Sequence, residues 1–138
     1  MKTIEQILKD SKTVAVVGMS NKPDRASNGV AHYLQQHGYK VILVNPTYAG
    51  QEILGEKVYA SLQEAAAGLS AGRIDVVDCF RKPDSMLQVA RDAVAIGAGC
   101  LWMQLGVVNQ EAADLASSAG LEVVMDHCMK IEHAALGV

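Results

Sequence analysis

Short apolar segments alternate along the whole chain with segments whose apolar residues recur at helical spacing. The apolar segments are rich in valine and isoleucine and carry few polar side chains, which is typical of strands buried on both faces of a sheet. Such strands occur in parallel sheets, where a helix crosses over between one strand and the next. Five strands are predicted in this way: Thr13–Val17, Lys40–Val44, Ile74–Phe80, Cys100–Met103 and Leu121–Met125.

The segments between these strands favour helices of about 10–12 residues. Capping boxes begin at Thr3 and Ser61, whereas the stretch from Thr47 to Glu56 is expected to be a loop with glycine hinges. We therefore predict an α/β fold, a Rossmann-like three-layer sandwich with a mainly parallel sheet of five or six strands. Further helices are expected over Val30–His37, Ser85–Ile96 and Asn109–Ala119, with a last turn or two after Cys128.

Length, composition and charge exclude several classes of protein. The 138 residues, half of them hydrophobic, are enough for one domain with its own core, so residues 1–138 are expected to form a single domain. A formal net charge of −3 argues against nucleic-acid binding through bulk positive charge. The longest uncharged apolar stretch, Ala93 to Met103, is shorter than the ~20 residues that span a bilayer. We predict no nucleic-acid and no membrane partner.

The N-terminal residues and the cysteines indicate in which cellular compartment the protein is expected. The first residues are charged and lack the apolar core of a signal peptide. Cys79, Cys100 and Cys128 are an odd set without C-x-x-C spacing, which is typical of reduced thiols. A cytoplasmic protein is expected.

The loop after the first strand is the strongest candidate for ligand binding. It lies between a strand and a helix, where backbone N–H groups and the helix dipole favour phosphate. Hydroxyls, an amide and two cations could add hydrogen bonds to such a ligand, although a solvated polar turn is the alternative. The candidates are Gly18, Ser20, Asn21, Lys22, Arg25 and Ser27.

Two common nucleotide motifs are absent from the sequence. Ser20 stands where the second glycine of G-x-G-x-x-G would lie, and no G-K-[ST] follows. The second strand ends in Asn45-Pro46-Thr47, without the carboxylate that accepts a hydrogen bond from the ribose of NAD. A conventional NAD site is therefore not expected, and Pro46 either ends the strand or holds the loop against an adenine ring.

Later strand ends supply further candidates and an exclusion. Phe80 and Arg81 could contact phosphate or adenine, or form an exposed basic turn. Trp102, Met103, Gln104 and Gly106 could line an apolar slot, or Trp102 could be packed in the core. His127 and His133 lack metal-ligand spacing, and no nucleophile elbow is present, so neither a catalytic nor a metal-ligating set is predicted.

These segments, taken in order, resemble a family of small stand-alone CoA-binding proteins. The family's fold is similar to the N-terminal CoA-binding domain of the succinyl-CoA synthetase alpha subunit. Thr47 replaces a lysine that is frequent in the family, and His127 stands in a motif that usually reads Asp-Arg-Cys-Pro. The matching segments are residues 14–25, 42–46, 76–81, 101–107 and 126–132.

The resemblance implies a Rossmann-like fold that binds coenzyme A or an acyl-CoA in an extended crevice. By this analogy the first loop faces the phosphates, with Gly18, Ser20, Asn21, Lys22 and Arg25. The adenosine end is bordered by Asn45, Pro46 and Tyr48, and the cleft is completed by Phe80, Arg81 and Trp102 to Gly106. The synthetases use a phosphorylated histidine in a separate domain, for which a chain ending at Val138 is expected to have no room.

We therefore expect a binding module for CoA or acyl-CoA without a complete catalytic apparatus. One alternative is an enzyme, either a nicotinamide-dependent reductase or one component of an acyl-CoA ligase. The missing second glycine and the missing carboxylate after the second strand argue against the reductase. Another alternative is a regulatory module whose crevice is vestigial, and no protein partner is predicted.

Overall fold

Seven strands form one sheet in a computed structural model, which describes residues 2–70 and 72–138. Their spatial order is β3-β4-β2-β1-β5-β6-β7, and every neighbouring pair is parallel except β3 and β4. The strands are β1 (Thr13–Val17), β2 (Lys40–Val44), β3 (Glu52–Ile53), β4 (Glu56–Tyr59), β5 (Val76–Cys79), β6 (Cys100–Met103) and β7 (Glu122–Val124).

Within the described residues, six α-helices cover the two faces of the sheet. The predicted capping box at Thr3 is present, and the Ser61 hydroxyl accepts a hydrogen bond from the Glu64 N–H. Among the described residues, no helix is long and apolar enough to cross a bilayer. The helices are α1 (Ile4–Asp10), α2 (Ala26–Gln36), α3 (Leu62–Ala67), α4 (Met86–Ala95), α5 (Gln110–Ser118) and α6 (Met129–Leu136).

The predicted α/β Rossmann-like class is confirmed, but the sheet has more strands than the five or six expected. The two additional strands, β3 and β4, form a short antiparallel hairpin at one edge, within and just after the stretch predicted to be a loop. Each has polar residues and only one buried side chain, Ile53 or Val58. A two- to four-residue edge segment of this kind has no periodic apolar pattern from which to predict a strand.

Side chains of the central strands alternate between two hydrophobic clusters. Ala15 and Val17 of β1 pack into the cluster beneath α3, α4 and α5, whereas Val14 and Val16 pack into the cluster beneath α1, α2 and α6. All four side chains are buried, as expected for a strand covered on both faces. The residues that end these strands are therefore held on a rigid support.

The strand order reverses direction at β1. The chain runs from β1 outward to β2 on one side, and later returns to place β5 on the other side. In open α/β sheets a crevice forms at the carboxyl ends of the strands at such a point. The residues after β1, β2 and β5 meet there.

His133 on α6 lies among aromatic side chains of α2 and its C-terminal loop. Its Nδ1 is 2.9 Å from the Tyr33 hydroxyl, and its ring lies edge-on to those of His37 and Tyr39. Burial lowers the pKa of His133, and the neighbouring His37 lowers it further. The structure thus favours a neutral imidazole between α2 and α6.

Substituting His133 with glutamine should cost less stability at pH 5 than at pH 7. The folded pKa lies below the unfolded one, so wild-type stability contributed by the neutral ring is present above about pH 6.5 and is lost as the pH falls. Thermal unfolding of both proteins at the two pH values measures this difference. His32→Gln, at an exposed position of α2, is the control. If His133→Gln lost the same stability relative to wild type at both pH values, the prediction would be contradicted.

Candidate functional site

The loop between β1 and α2 begins with a glycine that no other residue can replace without strain. Gly18 has φ +86°, and its N–H donates to the Val44 carbonyl at 2.9 Å. A Cβ at this position would overlap the Phe80 carbonyl oxygen and lie 3.2 Å from Cδ of Arg81. The ends of β1, β2 and β5 can approach this closely because residue 18 has no side chain.

Hydrogen bonds within the loop fix its shape. The Ser20 N–H donates to Oγ of Ser27 at 2.9 Å, and Asn28 Nδ2 donates to the Ser20 carbonyl at 3.0 Å. The Ser20 hydroxyl in turn accepts from the Lys22 N–H at 3.1 Å. Because Ser27 and Asn28 are buried in the first turn of α2, they hold the loop onto the helix N-terminus.

Asn45 connects this loop to the end of β2. Its Nδ2 donates to the Met19 carbonyl at 2.8 Å, while its Oδ1 accepts from the Thr47 N–H at 2.9 Å. The second bond caps the short 3₁₀ helix Pro46–Tyr48. Asn45 thus holds two of the three loops that meet at the crevice.

Replacing Asn45 with alanine should lower the free energy of unfolding by about 1–2 kcal/mol, because two hydrogen bonds are lost. Urea denaturation measures the change. Asn21→Ala is the matched control, since Asn21 is exposed in the same loop and no side-chain hydrogen bond holds it within the described structure. Equal losses in the two variants would contradict the assigned role of Asn45.

The first cavity lies at the N-terminus of α2 and has a volume of about 330 Å³. No acidic residue lies in the first turn of the helix, and Arg25, the N-cap residue, makes no side-chain capping bond. Lys22 and Arg25 are exposed and form no ion pair with the described residues. The exposed Asp24 lies between them in sequence. The cavity is lined by Gly18, Ser20, Lys22, Arg25, Ala26, Ser27, Asn45, Tyr48 and Phe80.

This arrangement is suited to an anion. The helix N-terminus presents unsatisfied N–H groups and a partial positive charge. Two cations that form no ion pair with a described carboxylate lie on the same cavity, and the half-buried Phe80 is its aromatic lining residue besides Tyr48. A phosphate-bearing ligand with a flat or apolar portion fits these features.

The second cavity, of about 310 Å³, lies beside α3 and α4. Val17 and Val44, whose side chains belong to the cluster beneath those helices, form part of its wall. Its other surfaces mix apolar and polar groups. The lining residues are Val17, Val44, Pro46, Ala60, Ser61, Leu62, Arg81, Ser85, Gln88, Val89 and Asp92.

The structure brings most of the predicted site residues together. Gly18, Ser20, Lys22, Arg25, Ser27, Asn45, Tyr48 and Phe80 line the first cavity, and Pro46 and Arg81 line the second. Asn21 is exposed in the same loop but lines neither cavity. Most residues predicted from the loop after β1 therefore share the first cavity, whereas Arg81 lies on the second.

The segment from Trp102 to Gly106 is placed differently from the prediction that it completes the cleft. Trp102 and Met103 are fully buried within β6, and Gln104 is almost as buried. Trp102 Nε1 donates to the His127 carbonyl at 2.8 Å, so the indole is satisfied within the core. Gly106 is exposed, but its N–H donates to Oδ1 of Asp126. None of these residues lines either cavity.

Several residues of the second cavity are not predicted by any motif in the sequence. Leu62 begins α3, and Gln88, Val89 and Asp92 belong to α4. Within the sequence these residues belong to ordinary amphipathic helices. The hairpin that leads into Ala60 and Ser61 lacks a strand pattern, so no sequence signal places α3 at the cavity.

The cysteines and histidines show no metal centre in the described structure: no group of three or more metal-ligating side chains converges there. Cys79 and Cys100 are buried, and Cys128 is half-buried. Burial, and to a lesser extent the charge of Asp78, raises the pKa of the Cys79 thiol well above its ordinary value. Cys79 therefore lacks the exposed thiolate that reactive cysteines require.

These features define an α/β protein with a Rossmann-like sheet and a polar crevice at the switch in strand order. The sequence comparison identifies the family: the chain belongs to the CoA binding domain family, whose model matches residues 12–134. The chain is also 41% identical over 131 residues to the uncharacterized protein YneT of Bacillus subtilis (strain 168), covering 95% of this chain and 92% of that protein.

Solved structures confirm the fold. A hypothetical protein from Pyrococcus horikoshii OT3 has a TM-score of 0.86 and 40% identity, with 98% of this chain and 90% of that chain covered. A dinucleotide-forming acetyl-coenzyme A synthetase 1 of Ca. Korarchaeum cryptofilum, in its apo form, has a TM-score of 0.69 at 22% identity. The match covers 88% of this chain but only 27% of the synthetase, so it shows a shared fold alone.

Proposed function

We propose that this protein binds coenzyme A or an acyl-CoA, with the phosphates in the first cavity. The observation that carries the proposal is the meeting of the α2 N-terminus with Lys22 and Arg25 on one cavity of about 330 Å³. Membership of the CoA binding domain family supports CoA as the phosphate-bearing ligand. Charge-assisted hydrogen bonds can hold such a ligand even though the net charge of the chain is −3.

The two cavities suggest how an extended ligand is arranged. Asn45 and Tyr48 would border the adenosine end, close to the phosphates, and Phe80 would supply an apolar surface to the same end. Pro46 follows Asn45 directly and lines the second cavity together with Val17 and Leu62. The part of CoA that carries the thiol would run past Pro46 into the second cavity, where Arg81 and Ser61 offer polar groups.

We propose a binding role rather than an autonomous catalytic one. Lys22 and Arg25 are exposed cations suited to holding phosphate, and the Cys79 thiol near the strand ends is buried with a raised pKa. Asn45 stands where an NAD site would have a carboxylate, so the end of β2 favours CoA over a nicotinamide dinucleotide. The positions of the polar groups thus support recognition of the ligand.

Thermal unfolding in the presence of a ligand panel tests the proposal. CoA and acetyl-CoA should raise the unfolding temperature, whereas NADH and ATP at equal concentration should raise it much less. A ligand at 100 times its Kd stabilises the folded state by about 2.7 kcal/mol, which gives a shift of several degrees for a chain of this size. A shift with NADH but none with CoA would overturn the proposal, and so would no shift with any of the four.

A further inference from the structure

Asp78 is a fully buried carboxyl group in the middle of the sheet. It alternates with Val77 and Cys79 along β5, so its side chain points to the opposite face, toward the cluster beneath α1, α2 and α6. Its Oδ1 accepts a hydrogen bond from Gln104 Nε2 at 2.7 Å. Its Oδ2 is buried and has no hydrogen-bond partner in the described structure.

A carboxylate in this position is costly, because one oxygen faces neither water nor a donor. Burial raises the pKa of Asp78 to about 7, and the hydrogen bond from Gln104 opposes this increase but is the smaller effect. A neutral carboxyl is therefore favoured while the side chain stays buried. Ionisation instead favours any rearrangement that brings water to Oδ2.

Gln104 belongs to the loop that follows β6. Its N–H donates to the Cys79 carbonyl at 3.3 Å, and its carbonyl accepts from the Val107 N–H at 2.9 Å. The next residue, Leu105, is 59% exposed, and the Gly106 N–H donates to Oδ1 of Asp126 at 2.7 Å. Gln104, the hydrogen-bond partner of Asp78, thus lies at the start of an exposed turn. Displacement of this turn would expose the Asp78 carboxyl to water.

We propose that Asp78 and Gln104 form a proton-dependent latch on the loop of residues 104–107. While Asp78 holds a proton, the pair stays buried and the loop stays closed. Once the proton is lost, the loop opens more often, because the charged carboxylate is more stable when it is hydrated than when it is buried. The latch lies outside the proposed CoA site, since neither Asp78 nor any residue of the loop 104–107 lines the first or the second cavity.

Titration of the neighbouring thiols or of His133 does not reproduce the pH dependence expected of Asp78. Cys79 on β5 and Cys100 on β6 are the thiols that its charge affects, and both have pKa values raised by burial. β1 presents the apolar Val16 opposite Asp78. Of the helices packed on this face, α6 contributes His133, whose protonation at low pH weakens the structure and so has the opposite sign. Asp126 is a second carboxyl at this loop, because its Oδ1 accepts from the Gly106 N–H, and its effect is tested with a variant of its own.

Hydrogen exchange of backbone amides between pH 5 and 8 tests the latch. After correction for intrinsic exchange, protection of the Gly106 and Val107 amides should fall roughly tenfold per pH unit up to about pH 7 and then level off. These amides should exchange faster than the Val16 amide of β1 at every pH, which indicates local opening. Protection independent of pH, or equal to that of Val16, would overturn the proposal.

Asp78→Asn is the decisive variant, because it keeps an acceptor for Gln104 and cannot ionise. Its loop amides should lose the pH dependence, while Asp126→Asn should retain it. The wild-type protein provides an independent readout if Asp78→Asn does not fold: the carbon resonance of the Asp78 carboxyl should titrate near neutral pH. A titration midpoint near 4, or an unchanged pH dependence in a folded Asp78→Asn, would overturn the latch.

Discussion

Replacing Gly18 with alanine should lower the free energy of unfolding by about 3 kcal/mol or more. The left-handed backbone at φ +86° costs a residue with a Cβ about 1–2 kcal/mol. The added methyl would also overlap the Phe80 carbonyl, and such overpacking typically costs about 1–3 kcal/mol. Because that neighbour is backbone, it cannot move aside without disturbing β5. Urea denaturation followed by circular dichroism measures the loss.

Gly38→Ala is the matched control for this substitution. Gly38 has φ +89°, almost the same as Gly18, but no atom lies within 4 Å of the position that a Cβ would take there. Its replacement should therefore cost only the backbone strain of about 1–2 kcal/mol. The difference between the two variants isolates the close approach of β1 and β5. Equal losses would show that this approach does not constrain residue 18.

Removing Lys22 and Arg25 together should weaken CoA binding by about 100-fold. A hydrogen bond to a charged group contributes about 1.5–3 kcal/mol, and the exposure of both side chains places each at the lower end of this range. Lys22→Ala/Arg25→Ala should also show a shallower dependence of Kd on salt, because fewer charged contacts remain to be screened. Isothermal titration calorimetry at two salt concentrations measures both effects.

Lys9→Ala/Lys12→Ala removes the same charge from the opposite edge of the sheet. Both lysines are exposed and precede β1, whereas the first cavity follows it. This variant should keep CoA affinity within about twofold, since charges more than a Debye length away are largely screened. Equal weakening in the two double variants would show that overall charge, and not the loop after β1, determines affinity.

The parallel core of the sheet could be predicted because its strands are buried on both faces. Thr13–Val17 and Lys40–Val44 coincide with β1 and β2, and the helix expected over Val30–His37 lies between them as α2, although it begins earlier, at Ala26. The edge hairpin could not be predicted in the same way, since Glu52–Ile53 and Glu56–Tyr59 bury one side chain each. The hairpin joins the sheet through the pairing of β4 with β2, a long-range contact that a local sequence pattern does not contain.

The candidate site shows the same division between local and long-range information. Residues 18–27 are contiguous in sequence, and most of those predicted from that loop do line one cavity. Trp102 lies in a strand pattern that fits both a core and a cleft residue, and its hydrogen bond to the His127 carbonyl places it in the core. Gln88 and Asp92 reach the second cavity only through the packing of α4 beside α3, which sequence spacing alone does not define.

A crystal structure of the protein with CoA tests the central claim most directly. We expect the phosphates to lie in the first cavity, within hydrogen-bond distance of the α2 N-terminal amides and of Lys22 or Arg25. Phosphates bound at the amino ends of the strands, or a first cavity closed by its own loop while CoA lies elsewhere, would contradict this claim.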